Sequence, residues 1–125
     1  PWVIYTHPEI AWVGKTEAEL SAAGVAYRAG SFSFAANGRA KAMDQDNGMI
    51  KVLADATTDR ILGVHIVGPM ASELIGQGVI AIETESTSED VARMTFAHPS
   101  LSESMHEAML SVDGRAIHGV NRKRK

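Results

Sequence analysis

The sequence contains no cysteine among its 125 residues. This absence excludes disulfide bridges, thiolate metal sites, iron–sulfur clusters and a cysteine nucleophile within the chain, and it suits a reducing compartment. Long hydrophobic runs are also absent. The longest nearly apolar stretch, residues 61–71, is too short to span a bilayer and contains His65 and Pro69. The sequence therefore predicts no membrane segment.

Basic residues are in the minority, with 12 lysines and arginines against 15 aspartates and glutamates. Four of the basic residues are the last four of the chain, residues 122–125, so the preceding part is more acidic than the net charge of −3 suggests. An acidic surface repels the phosphates of nucleic acid, and we expect no nucleic acid partner. The basic end is predicted to be a solvated tail.

The chain starts at Pro1 without an initiator methionine and continues directly into the β-rich residues 2–5. No signal peptide is visible, and we expect this sequence to be a piece of a longer protein. A composition that is 45% hydrophobic and 22% charged is typical of a globular domain. We predict one domain over residues 1–121, followed by the basic tail at 122–125.

Periodicity predicts a sheet in the first half of the chain. Alternating apolar residues and turn residues predict five strands, at residues 3–6, 11–14, 26–34, 49–54 and 60–67. A capping box from Thr16 to Glu19 predicts a short helix that stops at Gly24, and Asn37–Gly38 is predicted to end the third strand as a turn. The fifth strand is apolar on both sides, so we expect it to be central and covered on both faces.

Three helices are predicted in the second half. The first carries an apolar stripe from Ala71 to Ile82 at helical spacing, the second is capped by residues 86–90, and the third begins near Leu101. Ile80 lies off the apolar stripe, so we expect a second side of its helix to be covered as well. Together these elements predict an α+β fold, with an antiparallel sheet of about five strands covered by helices.

Residues 76–81, G-Q-G-V-I-A, match the letters of the dinucleotide-binding pattern G-x-G-x-x-A. That pattern binds a pyrophosphate only where the glycines follow a strand directly and open a helix. Here both glycines lie in the middle of a predicted helix. They are therefore predicted to serve close packing rather than nucleotide binding.

The sequence predicts no metal site. Each of the five histidines alone is explained by a surface or core position, and the pair His106–Glu107 is not followed by the second histidine of an H-E-x-x-H motif.

Residues 97–103, A-H-P-S-L-S-E, combine a histidine and a glutamate that could converge. Pro99 disfavours helix at His98, which places His98 just before a helix whose first turn contains Glu103. The carboxylate could then accept the imidazole N–H and leave the other ring nitrogen free to accept a proton. A second interpretation needs no chemistry, because Ser100 and Glu103 have the spacing of a capping box.

The same segment identifies a family. Residues 98–103, H-P-S-L-S-E, closely resemble the C-terminal H-P-T-L-S-E signature of the flavin-dependent pyridine nucleotide-disulfide oxidoreductases. Residues 3–14, 36–40 and 59–69 resemble further parts of the dimerisation domain of that family. The resemblance covers essentially the whole chain in order. Its one departure is Ser100, where the family often has threonine, and either residue can cap a helix.

Within the family, the dihydrolipoamide dehydrogenase branch fits best. Mercuric reductases and large thioredoxin reductases end in reactive cysteine or selenocysteine residues, which this chain lacks, and glutathione-type reductases tend to carry a second acid where Ser104 stands. Two parts of the full enzyme are missing here: the FAD- and NAD-binding domains, and the redox-active cysteine pair. We therefore expect no cofactor to be bound by this chain alone.

The resemblance also implies roles for residues. His98 matches the base that deprotonates dihydrolipoamide, Glu103 matches the glutamate that orients it, and the backbone of His98 and Pro99 matches the segment that touches the flavin. The resemblance implies that these groups serve the other subunit of a homodimer, so that dimerisation is part of catalysis. It also implies that FAD and NAD are the cofactors of the full-length enzyme. The resemblance further implies a cis peptide bond between His98 and Pro99.

The implied partners are a second copy of the chain and the dihydrolipoyl acyltransferase of a 2-oxoacid dehydrogenase complex. The implied location is a bacterial cytoplasm or a mitochondrial matrix. Two alternatives remain open at this point: a module that only dimerises or docks on a complex, and the same domain of another flavin disulfide reductase.

Overall fold

The fold is known from a computed structural model that describes residues 1–121. The predicted basic tail at 122–125 lies outside the described residues. Five strands form one antiparallel sheet in the order β1-β2-β5-β4-β3. Their bounds are β1 Trp2–Ile4, β2 Glu9–Gly14, β3 Tyr27–Ser33, β4 Met49–Asp55 and β5 Ile61–Gly68. The predicted α+β class and the five-stranded antiparallel sheet are confirmed.

Five α-helices and one short 3₁₀ turn connect or cover the strands. They are α1 Glu17–Ala22, the 3₁₀ turn Phe34–Ala36, α2 Gly38–Ala42, α3 Ala71–Glu83, α4 Ser88–Ala92 and α5 Glu103–Val112. Helix α3 packs on β2 and β5, and α5 packs on β3 and β4. No helix within residues 1–121 is long and apolar enough to cross a membrane.

The core lies between the sheet and these two helices. Its largest fully buried side chains come from the strands, the 3₁₀ turn and α5: Phe34, Ile50, Val52, Val64, Ile66, Met105 and Met109. Burial of such side chains stabilises a fold by about 1.5–3 kcal/mol each. The core therefore holds α5, whose first residue is Glu103, firmly against the sheet.

Strand β5 is the central strand, as predicted, and within residues 1–121 its second face is covered only in part, since both ring nitrogens of His65 on that face are buried. Val64 and Ile66 point into the core, whereas Val67 is 37% exposed on the other face. The apolar character of the strand therefore indicated its central position correctly, and the cover predicted for both faces is complete on one face and partial on the other.

Local sequence signals explain both ends of α1. The hydroxyl of Thr16 accepts a hydrogen bond from the N–H of Glu19, and the carboxylate of Glu19 accepts one from the N–H of Thr16. This capping box starts α1, and Gly24 follows its end with φ +67°, a conformation that glycine adopts without a steric penalty. Both features were predicted.

The two glycines of the G-x-G-x-x-A pattern lie inside α3. An ideal Cβ at Gly78 would lie 3.0 Å from the Cβ of Val64 in β5, whereas at Gly76 it would meet nothing within 4 Å. Gly78 therefore allows close packing of the helix on the sheet. This agrees with the structural interpretation of the pattern.

One helix was not predicted. Asn37 does not simply end the third strand. Its side-chain oxygen accepts a hydrogen bond from the N–H of Ala40 at 2.9 Å and so begins α2. Asparagine favours both turns and helix N-caps, which is why the sequence signal was ambiguous.

Candidate active site

The loop before α5 presents the predicted histidine. The His98–Pro99 peptide bond is cis, as the resemblance implied. The His98 side chain is 78% exposed, and its Nδ1 lies 2.9 Å from Oε1 of Glu103, the first residue of α5. Because an ionised carboxylate can only accept, Nδ1 carries the proton of this hydrogen bond. The other ring nitrogen, Nε2, is then the one that can accept a proton.

The second carboxylate oxygen of Glu103 has a different task. Oε2 accepts a hydrogen bond from the backbone N–H of Ser100 at 2.9 Å. The hydroxyl of Ser100 is buried and has no hydrogen-bond partner among the described residues, so only half of the predicted capping box forms. The two sequence interpretations of Glu103 are thus combined, because one carboxylate holds both the loop backbone and the imidazole.

The surroundings of Glu103 favour its charged form. Partial burial alone would raise the pKa of Glu103, but the Ser100 N–H bond, the His98 bond and the positive charges of His98 and His118 together lower it. A lowered pKa keeps the carboxylate ionised, so that it accepts hydrogen bonds on both oxygens. Glu103 can therefore stabilise a protonated imidazole at His98.

Asn37 supports this loop and was not predicted as a site residue. Its side chain is buried, and its Nδ2 donates to the carbonyl of Ser100 at 2.9 Å and to the hydroxyl of Ser104 at 2.8 Å. Since its oxygen also begins α2, Asn37 connects the start of α2 to the start of α5. The signal in the sequence was its position in residues 36–40, one of the segments that resemble the family.

His106 holds the other end of the loop. Its Nε2 donates a hydrogen bond to the carbonyl of Ala92 at 2.9 Å, and its ring lies 5.8 Å from the ring of Phe96. Its role is therefore structural, in agreement with the interpretation from sequence. The described residues contain no cluster of three or more histidine, aspartate or glutamate side chains arranged to hold a metal ion.

His98 and Glu103 border a cleft of about 350 Å³. The cleft is also bordered by a second histidine–carboxylate pair, in which Nδ1 of His118 lies 2.8 Å from Oε1 of Glu107. No sequence pattern indicated this pair, because its two residues meet only after the chain turns back at the end of α5.

The loop backbone is suited to contact a group from outside the chain. Ala97, His98 and Pro99 are exposed, and their backbone makes no hydrogen bond to another residue in the described range 1–121. Exposed carbonyl groups of this kind can accept hydrogen bonds from a flavin ring. The observation fits the expected place of a flavin at His98 and Pro99, while the glycine pattern in α3 offers no dinucleotide site.

The fold and the site define a class: an α+β domain that presents an imidazole–carboxylate pair on an exposed loop and holds no dinucleotide-binding loop in its described part. Residues 1–109 match the family model described as "Pyridine nucleotide-disulphide oxidoreductase, dimerisation domain". The chain belongs to this family.

Curated relatives narrow the comparison. The chain is 59% identical over 117 residues to a dihydrolipoyl dehydrogenase of Cupriavidus necator, and the matched region covers 94% of this chain and 25% of that relative. It is 53% identical over 119 residues to a mitochondrial dihydrolipoyl dehydrogenase of Schizosaccharomyces pombe, covering 94% and 23%. The chain thus spans about a quarter of the length of these relatives.

Solved structures show the same fold. LpdA from Mycobacterium tuberculosis matches with a TM-score of 0.81 and 33% identity, over 86% of this chain and 24% of that chain. The HOCl-induced flavoprotein disulfide reductase RclA from Escherichia coli matches with a TM-score of 0.82 and 25% identity, over 86% and 25%. The name of the E. coli protein, a flavoprotein disulfide reductase, agrees with the family.

Proposed function

We propose that this chain is the C-terminal dimerisation domain of a dihydrolipoyl dehydrogenase and that its His98–Glu103 pair is the acid–base group for the NAD-dependent oxidation of dihydrolipoamide. The observation that carries this proposal is the 2.9 Å hydrogen bond between Nδ1 of His98 and Glu103, which leaves Nε2 available on a side chain that is 78% exposed. The identity to dihydrolipoyl dehydrogenases over nearly the whole chain supports it.

The proposed chemistry of His98 is a proton transfer. A thiol is a weak nucleophile until it is deprotonated. Nε2 of His98 accepts the proton of a dihydrolipoamide thiol, and the resulting thiolate attacks the active-site disulfide. Glu103 stays ionised, fixes the tautomer and stabilises the imidazolium that forms. A positioned base of this kind accelerates a reaction by about 10²–10⁴-fold.

The remaining parts of the reaction belong to the rest of the full-length enzyme. FAD supplies electron transfer from the reduced cysteine pair to NAD when it is bound. From this chain, the exposed backbone at His98 and Pro99 would contact the flavin ring. These two residues are therefore proposed as its cofactor-binding residues.

The partners are part of the same proposal. A family defined as a dimerisation domain supports a homodimer, and we propose that His98 serves the flavin and disulfide of the other subunit. The dihydrolipoyl acyltransferase of a 2-oxoacid dehydrogenase complex is the proposed further partner. Relatives from a bacterium and from mitochondria support a location in either compartment.

Two other functions can be distinguished from the proposed one by experiment. The same domain of another flavin disulfide reductase is supported by the match to the E. coli reductase. A module that only dimerises or docks would use none of the chemistry at His98, and it would tolerate His98→Gln.

The test is His98→Gln in the full-length enzyme. We expect dihydrolipoamide-dependent reduction of NAD to fall by about 10²–10⁴-fold, while reduction of the flavin by NADH, which needs no thiol base, stays at the wild-type rate. The matched control is His7→Gln, a histidine outside the cleft, which should change neither rate. Unchanged dihydrolipoamide oxidation in His98→Gln would refute the proposal.

A further inference from the structure

The cleft beside His98 contains a second histidine–carboxylate pair that the proposed mechanism does not use. Glu107 follows Glu103 by one helical turn on α5, so both carboxylates lie on the same face of the helix. Like charges at this spacing repel each other. Each of the two is paired with its own histidine, His98 with Glu103 and His118 with Glu107.

The two pairs differ in burial. The Glu107 side chain is only 5% exposed, compared with 28% for Glu103. Its oxygens accept hydrogen bonds from the backbone N–H of Ile117 at 2.8 Å, from the backbone N–H of His118 at 3.3 Å and from Nδ1 of His118 at 2.8 Å. A buried carboxylate is costly without such partners, so Glu107 and the segment that supplies the N–H groups depend on each other.

That segment, residues 115–121, is folded back on itself. The side chain of Asn121 accepts from the N–H of Ala116 at 2.8 Å and donates to its carbonyl at 2.9 Å. Gly119 lies against the ring of Phe32, where an ideal Cβ would be only 3.2 Å from the ring. The segment therefore has a defined path, and two of its residues, Ile117 and His118, border the cleft.

We propose that Glu107 and His118 are positioning residues that fix residues 115–121 as one wall of the His98 cleft, so that the thiol substrate is held against Nε2 of His98. This inference rests on the function proposed above. Support comes from the shared cleft, the shared face of α5 and the buried carboxylate that accepts three hydrogen bonds from one segment. The positive charge of His118 also acts on Glu103, where it contributes to the lowered pKa.

The experiment uses the full-length enzyme with His118→Ala and His118→Asn. Alanine removes the donor to Glu107, whereas the amide of asparagine can place an N–H near the position of Nδ1. We expect kcat for dihydrolipoamide to fall about tenfold in His118→Ala and to stay within about twofold of wild type in His118→Asn, as expected for loss and rescue of substrate positioning. Reduction of the flavin by NADH should be unchanged in both.

A second measurement does not depend on activity. Hydrogen exchange of the peptide that covers residues 115–121 should be faster in His118→Ala and in Glu107→Gln than in wild type. The first variant removes the Nδ1 donor to Glu107, and the second replaces the carboxylate that accepts the hydrogen bonds of the segment. Arg60→Gln is the matched control, since Arg60 pairs with Glu85 outside both the cleft and residues 115–121. It should leave the hydrogen exchange of this peptide and kcat for dihydrolipoamide unchanged.

Several outcomes overturn the inference. Wild-type kcat in His118→Ala would show that the wall does not position the substrate. A parallel loss of dihydrolipoamide oxidation and flavin reduction would show a merely structural role. If His118→Ala does not fold, wild-type kcat in Glu107→Gln overturns it instead. His98→Gln is measured in parallel: if His98→Gln is active, the proposed function fails, whereas an inactive His98→Gln with an active His118→Ala refutes this inference alone.

Discussion

The buried amide of Asn37 donates a hydrogen bond to the hydroxyl of Ser104 at 2.8 Å and thereby joins two helices that are distant in sequence. The same side chain donates to the Ser100 carbonyl and accepts from the N–H of Ala40. It therefore fixes the carbonyl of the residue whose N–H is bound by Glu103. The position of the His98 loop depends on this side chain, although Asn37 itself is outside the His98–Glu103 pair.

Asn37→Ala is expected to destabilise the chain by about 2–4 kcal/mol, because it removes an N-cap and leaves buried polar groups without partners. Asn37→Ser should lose less, since a serine hydroxyl can still accept from the N–H of Ala40. Chemical denaturation of the three proteins measures the difference. Asn121→Ala is the control, because that side chain is exposed and should cost less. Equal stability of Asn37→Ala and wild type would contradict the assigned role.

The glycines of α3 allow a matched pair of substitutions. Gly76→Ala should stabilise the chain by about 0.5–1 kcal/mol, because alanine is the better helix former and the added methyl meets open space. Gly78→Ala has the same helix propensity but brings a methyl to within 3.0 Å of Val64. We expect it to be less stable than Gly76→Ala by about 1–2 kcal/mol.

Thermal unfolding of this chain measures both glycine variants. Equal effects of the two substitutions would mean that α3 can move away from β5. Close packing at Gly78 would then not explain the glycine in the G-x-G-x-x-A pattern.

Much of this fold could be predicted because its signals are local. The capping box of Thr16 and Glu19 has both partners within one helical turn, and the pairing of β4 with β5 follows from alternation on each side of a short turn. The His98–Glu103 pair belongs to the same category. Its two residues are separated only by a proline and the start of a helix.

The parts that were not predicted depend on contacts between distant segments. Asn37 has the same sequence signal whether it ends a strand or caps a helix, and its bond to the distant Ser104 is not visible in the sequence. The pairing of His118 with Glu107 requires the chain after α5 to turn back, which is held by the bonds of Asn121 and by the contact of Gly119 with Phe32. No periodicity encodes such an arrangement.

We expect His65 to make the stability of the fold depend on pH. Burial and the positive charge of Lys51 lower the pKa of His65, and neither ring nitrogen has a hydrogen-bond partner among residues 1–121. The unfolded chain therefore binds a proton at this position more readily than the folded chain. The stability that comes from keeping His65 neutral is fully present above about pH 6.5, the pKa of histidine in an unfolded chain. It is lost as the pH falls towards the lowered pKa of His65 in the folded chain.

His65→Gln should remove this dependence. We expect the decrease in melting temperature between pH 7.5 and pH 5.5 to be smaller in the variant than in wild type. His7→Gln, which changes a histidine in an exposed loop, is the control and should follow the wild-type profile. Parallel profiles of His65→Gln and wild type would show that the protonation of His65 does not affect stability.

The proposed action across subunits can be tested by mixing two inactive enzymes. One full-length enzyme carries His98→Gln, and the other has its redox cysteines replaced. Each homodimer should be nearly inactive, the first because it has no base and the second because it has no disulfide. In a mixed dimer, one site combines the intact disulfide of one chain with the intact His98 of the other, and the second site lacks both.

Random exchange makes half of the dimers mixed, and half of the sites in each mixed dimer are complete. About one quarter of the wild-type dihydrolipoamide oxidation should therefore return after exchange. The pH dependence of the recovered activity should equal that of wild type, because every complete site contains an unaltered His98–Glu103 pair. A mixture kept without subunit exchange is the control and should stay inactive. If purified mixed dimers are as inactive as their parents, His98 serves its own subunit, and the proposed placement of the chemistry across the interface is wrong.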